Sequence, residues 1–157
     1  MIHAWNLGYE KSKNRAKELY IKIGRIQSPA LDNEYISFNN KGFNHLIRKG
    51  RLPRTRNEQK RRFVLLQYVE DIIKNPKARI EYREIEAKHK ENRYGEKVII
   101  TSMARFWTFS STIDFCRIKV VIRQTKKSKY FFSVMGDDNV KISKKVKKRK
   151  IKKLPKK

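Results

Sequence analysis

The chain has a single cysteine, Cys116, among its 157 residues. One thiol cannot form an internal disulfide and cannot build a thiolate metal cage. This cysteine usage is compatible with a reducing cytoplasm. No apolar run reaches the roughly 18 to 20 residues that a membrane span requires, and the first twenty residues lack the apolar core of a signal peptide. The sequence therefore predicts a soluble cytoplasmic protein that does not cross a membrane.

Acidic residues are also scarce. The chain has 15 Asp and Glu against 41 Lys and Arg, which gives a formal net charge of +26. A hydrophobic fraction of 38% and an aromatic fraction of 11% still indicate a folded core. The length is typical of one domain. An excess of positive charge favours a polyanionic partner, and nucleic acid is the first candidate.

Three regions differ in composition. The segment "KISKKVKKRKIKKLPKK" has eleven basic residues and no acidic one, so we predict a disordered lysine-rich tail over residues 139–157. Residues 20–138 are predicted to form the folded domain, preceded by an N-terminal extension over residues 1–19. Because the domain stays strongly basic without the tail, the partner is expected to bind the folded body.

Helical patterns dominate the first half of the domain. Residues 9–19 have a weak helical pattern, and a helix over 41–49 follows a cap at Asn39 or Asn40 and ends at Gly50. Leu65, Leu66, Val69, Ile72 and Ile73 recur at three- and four-residue spacing and predict a helix over 56–75.

A period of two dominates the second half. The segments 78–88, 97–109, 117–124 and 129–135 are rich in β-branched and aromatic residues, and "TKKS" predicts a hairpin between the last two. Earlier, "YIKIGRI" (20–26) predicts a short strand and 35–38 an extended piece. The predicted fold class is α+β: N-terminal helices packed on an antiparallel sheet of about four strands.

One histidine lies in an unusually basic stretch, "FNHLIRKGRLPRTRNEQKRRF" (43–63). An imidazole exchanges protons readily near neutral pH, so His45 is a candidate general base or acid. Arg48 is expected on the same helix face, three residues away. The cations that could hold a phosphate beside His45 are Arg48, Lys49, Arg51, Arg54 and Arg56, and Arg62 is a further candidate for binding nucleic acid. A surface or capping histidine is the alternative interpretation.

The predicted hairpin carries a second polar group. Alternation in "RIKVVIRQ" places Lys119, Val121 and Arg123 on one strand face. If Gln124 pairs with Tyr130, then Arg123 faces Phe131 and Val121 faces Ser133, which groups Arg123, Lys119 and Ser133. A shift of one residue would separate them. A solvated sheet face is the alternative.

These residue types suit RNA cleavage without a metal or other cofactor. The reaction needs a base for the 2′-OH proton, an acid for the leaving 5′-oxygen, and cations near the phosphorane. His45 fits a proton-transfer role, Arg123 and Lys119 fit the cationic role, and Ser133 could donate a hydrogen bond to a phosphate oxygen. Tyr130 could stack an unpaired base if its ring were exposed.

The order "IKIGRI", "ISFNNKGFNHLIRKGRLPRTRNEQKRRFVLLQYVEDIIKNP" and "IKVVIRQTKKSKYFFSVM" resembles phage-associated nucleases of the Barnase, EndoU, colicin and RelE-like superfamily. The resemblance covers roughly residues 20–136. It implies a metal-independent ribonuclease, often a toxin, with His45, Arg123 and Ser133 at the matching positions. It also implies RNA as partner, such as tRNA or ribosome-associated mRNA, and an acidic antitoxin or immunity protein.

Other functions fit parts of the same sequence. A non-catalytic RNA- or DNA-binding protein would need only the charge, because neutralising phosphates releases counterions. A metal-dependent nuclease could use the E-x-K pattern of Glu86 and Lys88 with Asp71 upstream, although hard metals need several converging oxygen ligands. Attraction of the tail to an anionic membrane surface ranks last, because no apolar face accompanies the charge.

Overall fold

The computed structural model describes residues 7–136. The predicted disordered tail lies outside the described residues. Within residues 7–136, no helix combines the length and the apolar character needed to cross a membrane.

The first helix, α1, spans Tyr9–Ile23. Ser12, Ala16 and Tyr20 follow one another at four-residue spacing and form its buried face, and Gly24 ends it with a φ of 62°. The predicted strand over 20–26 is therefore wrong in its first half, because Tyr20 continues the buried face of the helix. The expected domain boundary at residue 20 falls inside α1, whose Ala16 and Tyr20 belong to the main core.

A short hairpin and a second helix follow. Strands β1 (Arg25–Ser28) and β2 (Glu34–Ser37) pair antiparallel, in agreement with the extended piece predicted at 35–38. Helix α2 spans Asn40–Ile47. Asn39, one of the two predicted caps, is its N-cap, and its side chain accepts a hydrogen bond from the Gly42 N–H at 3.3 Å.

Helix α2 ends two residues earlier than the sequence predicted. Arg48 has extended dihedrals (φ −123°, ψ 150°) and begins a small hairpin of β3 (Arg48–Lys49) and β4 (Leu52–Pro53). Gly50 supplies the positive φ of its turn, 64°. The prediction that Arg48 shares a helix face with His45 is therefore wrong.

The helix predicted over 56–75 is divided into three consecutive parts. These are α3 (Arg56–Leu65), a 3₁₀ turn (Leu66–Tyr68) and α4 (Val69–Lys74). The Thr55 side chain caps α3 by accepting a hydrogen bond from the Glu58 N–H at 3.2 Å. All five residues of the predicted apolar stripe are buried, which confirms the prediction of a core-facing surface.

Four long strands complete the chain: β5 (Arg79–Arg93), β6 (Glu96–Ile113), β7 (Cys116–Thr125) and β8 (Ser128–Gly136). They confirm the four predicted strands, the "TKKS" hairpin and the α+β class. The sheet has six strands rather than about four, in the order β1-β2-β8-β7-β6-β5. The sequence predicted extended segments at both additional strands but not that they join the sheet, because each has only four residues and β2 joins β8 by parallel pairing at two positions.

The helices cover one face of this sheet, and the main core lies between the helices and the sheet. Phe63, Phe109 and Phe131 are fully buried there. The opposite face has a smaller apolar cluster centred on Ala104, Phe106 and Val121. We call it the open face. It carries the side chains that the sequence singled out on β7.

A β-bulge in β8 alters the predicted register. Val121 faces Ser133 as predicted, but Ile122 faces Phe131, so Phe132 is an extra residue on the bulged strand. Arg123 consequently faces Tyr130, and the predicted Arg123–Phe131 and Gln124–Tyr130 pairs are wrong by one residue. Phe131 belongs to the main core instead of sharing a face with Ser133.

Candidate active site

His45 lies where α2 packs beside β8. The Tyr20 hydroxyl donates a hydrogen bond to the Asn39 carbonyl oxygen at 2.6 Å, which fixes the start of the helix. One and a half turns later, the half-buried His45 imidazole packs on Phe132, with 4.2 Å between the ring centroids. The bulge in β8 is what makes Phe132 available at this position.

Burial, as the largest cause, and the charges of Arg54, Arg62 and Arg123 together lower the pKa of His45 from 6.5 to about 4. At neutral pH the imidazole is therefore uncharged. An uncharged imidazole can accept a proton but has none to give as an acid.

Two of these arginines share a single carboxylate. Arg54 Nη1 and Arg62 Nη2 lie 3.3 and 3.5 Å from the same oxygen, Oε1 of Glu58. Arg54 also donates from Nε to the His45 carbonyl oxygen at 3.1 Å, and its side chain is only 5% exposed. Arg54 thus connects α2 to α3 through its bonds to His45 and Glu58. One carboxylate between two guanidiniums leaves an excess of positive charge beside the imidazole.

Ser133 holds Arg62. Arg62 Nη1 donates hydrogen bonds to Ser133 Oγ at 3.0 Å and to the Val134 carbonyl oxygen at 2.9 Å. Ser133 is fully buried. Its hydroxyl therefore positions a guanidinium, and the direct phosphate contact that the sequence suggested for Ser133 would need the strand to open.

Arg123 reaches the cluster from β7. Its guanidinium carbon lies 5.5 Å from the Phe106 ring centroid and 5.6 Å from the Phe132 centroid, and these rings lie edge to face. Arg83 of β5 lies over Phe106 as well, at 5.6 Å. Aromatic faces attract cations, so the two rings hold these guanidiniums without neutralising them.

Three nitrogens at this place lack partners. His45 Nδ1, Arg62 Nε and Arg123 Nε are buried and have no hydrogen-bond partner within residues 7–136. A buried polar group without a partner costs about 1–3 kcal/mol. A small pocket of about 70 Å³ opens beside Arg62 and Glu58, and neither His45 nor Arg123 lines it. We refer to His45, Arg54, Glu58, Arg62 and Arg123 as the His45 cluster.

Other predicted residues lie farther away. Lys119 shares the open face but is four residues from Arg123, about 13 Å along the strand. The exposed β3–β4 hairpin carries Arg48, Lys49 and Arg51. Tyr130 is 5% exposed, and Lys41 Nζ lies 5.9 Å from its ring centroid, so the ring has no free face for a base.

The residues of the metal-dependent alternative are separated. Glu86 and Lys88 are exposed on β5, whereas Asp71 is exposed on α4. Within the described part of the chain, no three His, Cys, Asp or Glu side chains are grouped as metal ligands.

Four residues of the site were not singled out from the sequence. Glu58 had a signal, since it is the only acidic residue between 43 and 63. Phe106 belongs to the smaller apolar cluster of the open face, and a strand aromatic gives no sequence signal for a cation above its ring. Phe132 and Arg83 had no usable signal, because the first depends on the bulge and the second on the register between β5 and β6.

Three comparisons with known proteins complete the description of the site. The chain matches no protein-family model, and neither curated proteins nor solved structures include a significant match to it.

Proposed function

We propose that this protein is a metal-independent endoribonuclease that cleaves RNA by attack of the 2′-OH on the adjacent phosphodiester. The observation that carries the proposal is an uncharged, half-buried imidazole whose pKa is lowered by three neighbouring guanidiniums, of which only two share a carboxylate. The resemblance of the sequence to ribonuclease toxins implied the same activity.

His45 acts as the general base. It takes the 2′-OH proton while the 2′-oxygen forms a bond to phosphorus, and the P–O5′ bond then breaks. The products are a 2′,3′-cyclic phosphate and a 5′-hydroxyl. Because the neighbouring cations contribute to the low pKa of His45, a bound phosphate that offsets their charge raises this pKa and lets the imidazole hold the proton.

Arg123 and Arg62 stabilise the phosphorane. Both guanidiniums are close enough to His45 for their charge to lower its pKa, so each can stabilise the negative charge that develops beside it in the transition state. Arg54 and Ser133 position the imidazole and Arg62 through the hydrogen bonds described above. Because Lys119 lies about 13 Å along β7 from Arg123, we assign the proton of the leaving oxygen to water.

The test is cleavage of tRNA and total RNA by the purified full chain in EDTA. We expect cleavage by the wild type and a turnover about 10²- to 10⁴-fold lower for His45→Ala. Arg123→Gln should show a comparable loss, whereas His89→Ala, at an exposed histidine on β5, should cleave normally. Product ends should carry a 2′,3′-cyclic phosphate. Intact RNA in every lane would overturn the proposal.

A non-catalytic RNA- or DNA-binding protein is the second candidate. It is favoured by the exposed β3–β4 hairpin, where Arg48, Lys49 and Arg51 could contact phosphates without any chemistry. Both candidates predict salt-sensitive binding, so only turnover distinguishes them.

A toxin role and an acidic inhibitor remain part of the proposal. Carboxylates of such a protein would be attracted to the His45 cluster, where they would take the place of the substrate phosphate. Co-expression with a neighbouring acidic gene product should then restore growth that the chain alone prevents.

A further inference from the structure

A two-stranded ribbon projects from the sheet. β5 and β6 pair from Arg79–Ser110 to Arg93–Glu96, but β7 pairs with β6 only between Arg105 and Ile113. The nine β5–β6 residue pairs that β7 does not reach comprise residues 85–104. We call this part the ribbon, and it is about 30 Å long. Two strands alone are marginally stable in water, and a third strand or a packed face is usually required.

The ribbon exposes apolar side chains. Ile85, Val98, Ile99 and Met103 are between 38% and 63% exposed. In the part of the chain that the structure describes, no other strand extends the ribbon on either side. Alternation along the strands places Ile85 and Val98 on one face of the ribbon and Ile99 and Met103 on the other, so neither face is a continuous apolar surface and a partner is expected at an edge.

The two edges of the ribbon differ. The β5 edge carries charges along its length, at Glu86, Lys88, Lys90, Glu91 and Arg93, which is a common protection against pairing with foreign strands. The β6 edge has no charged residue from Val98 to Ala104 and is rich in β-branched residues. An exposed, uncharged strand edge of this kind is a template for another strand.

The charge of the ribbon indicates which kind of partner would bind its β6 edge. Residues 85–104 have four basic and three acidic residues, although the whole chain has a net charge of +26. The ribbon therefore offers little attraction to a polyanion, and two ribbons can meet without strong repulsion. We propose that two copies of this chain dimerise by antiparallel pairing of their β6 edges, in the strand order β5-β6-β6-β5.

Charge also selects the register. Two-fold symmetry requires one residue to face its own copy. A centre at Thr101 would set Lys97 opposite Arg105 of the partner subunit, whereas a centre at Ile100 pairs only uncharged residues over 98–102. The outer edges of this dimer are the charged β5 edges, so the assembly closes at two copies.

The test uses charge exchange at Ile100. Like charges directly opposite each other destabilise a strand pair, so Ile100→Lys and Ile100→Glu should each be monomeric, with a dimer dissociation constant raised about tenfold or more. An equal mixture of the two variants should regain the dimer mass by sedimentation equilibrium. An unfolded ribbon could not be rescued by mixing, so recovery excludes misfolding as the cause.

His89→Lys is the matched control, because His89 faces Ile100 across the same rung but lies on the β5 edge. It should dimerise like the wild type. Added salt should strengthen the dimer by screening the repulsion between the two basic bodies. A wild type that stays monomeric at every concentration, assemblies larger than two, or an equal effect of His89→Lys would each overturn the proposal.

Discussion

At His45, burial and charge act in the same direction. The imidazole is half-buried, and three guanidiniums contribute to lowering its pKa from 6.5 to about 4. Between these pH values the unfolded chain binds a proton that the folded protein does not bind. The free energy of unfolding must therefore fall as the pH decreases from about 6.5 towards 4.

This stability effect is the first prediction at the residue scale. Urea unfolding at pH 7 and pH 4.5 should show a loss of stability in the wild type that is smaller in His45→Gln, which cannot titrate. The other ionisable groups are the same in both proteins, so the difference between them isolates His45. Equal losses in the two proteins would contradict the low pKa of His45.

Ser133 gives a second prediction at this scale. Ser133→Ala removes a hydrogen bond from Arg62 and leaves its other bond, to the Val134 carbonyl oxygen, in place. We expect a loss of about 1 kcal/mol in the free energy of unfolding and a smaller loss of turnover than for Arg62→Gln. Ser128→Ala, at an exposed position in the β7–β8 hairpin, is the control. A loss of turnover as large as that of His45→Ala would indicate that Ser133 contacts the substrate.

At the scale of elements, the placement of α2 depends on Gly42. A Cβ at this position would clash with the carbonyl oxygen of Phe131 and the hydroxyl of Tyr20. The helix can approach β8 closely only because this side chain is absent. The same approach brings His45 onto Phe132.

Gly42→Ala should therefore destabilise the fold by about 1–3 kcal/mol or more and displace α2 from β8. Gly8→Ala is the control, since a Cβ there meets no atom within 4 Å. Thermal unfolding measures the first effect, and turnover of RNA reports the second. A Gly42→Ala protein with normal stability and turnover would contradict this account of the helix placement.

The sequence predicted long elements better than the details that assemble the site. Repeated apolar spacing located α3, α4 and the four long strands, because many residues support each pattern. The bulge at Phe132 and the end of α2 at Ile47 depend on tertiary contacts that no local pattern records. Both determine which side chains meet: the first gives His45 its aromatic neighbour, and the second removes Arg48 from its helix face.

The candidate site was predicted in part for the same reason. Residue chemistry identified His45, Arg54, Arg62, Arg123 and Ser133, and the structure brings them together. Residue chemistry alone gave no information about distances along a strand, so Lys119 was grouped with Arg123 although the two are four positions apart. It also gave no information about burial, so Tyr130 was assigned a stacking role that its buried ring does not suit.

At the scale of the whole molecule, charge is the dominant property. With a net charge of +26, binding to RNA should release counterions, and the logarithm of the binding constant should fall linearly with the logarithm of salt concentration. Deleting residues 139–157 removes eleven positive charges and no acidic residue. If the tail contacts RNA, this slope becomes shallower.

We predict that tail deletion weakens binding and reduces the salt slope, while cleavage of saturating RNA continues at the wild-type rate. Binding of a non-cleavable RNA at several salt concentrations measures the slope. Arg123→Gln in the intact chain is the control, and it should change the salt slope by about one phosphate contact at most. A deleted protein that binds but no longer cleaves would place part of the catalytic machinery in the tail.

The hydrogen bond between Arg62 and Ser133 joins residues 71 positions apart. During synthesis His45, Arg54 and Arg62 emerge early. Arg123 follows on β7, and the strand that supplies Phe132 and the anchor for Arg62 emerges last among the described elements. Local helices can form before then, whereas contacts between distant parts of a chain must wait for both partners. We therefore expect a nascent chain to be inert until β8 has left the ribosome, so that its own messenger is translated before any catalytic centre exists.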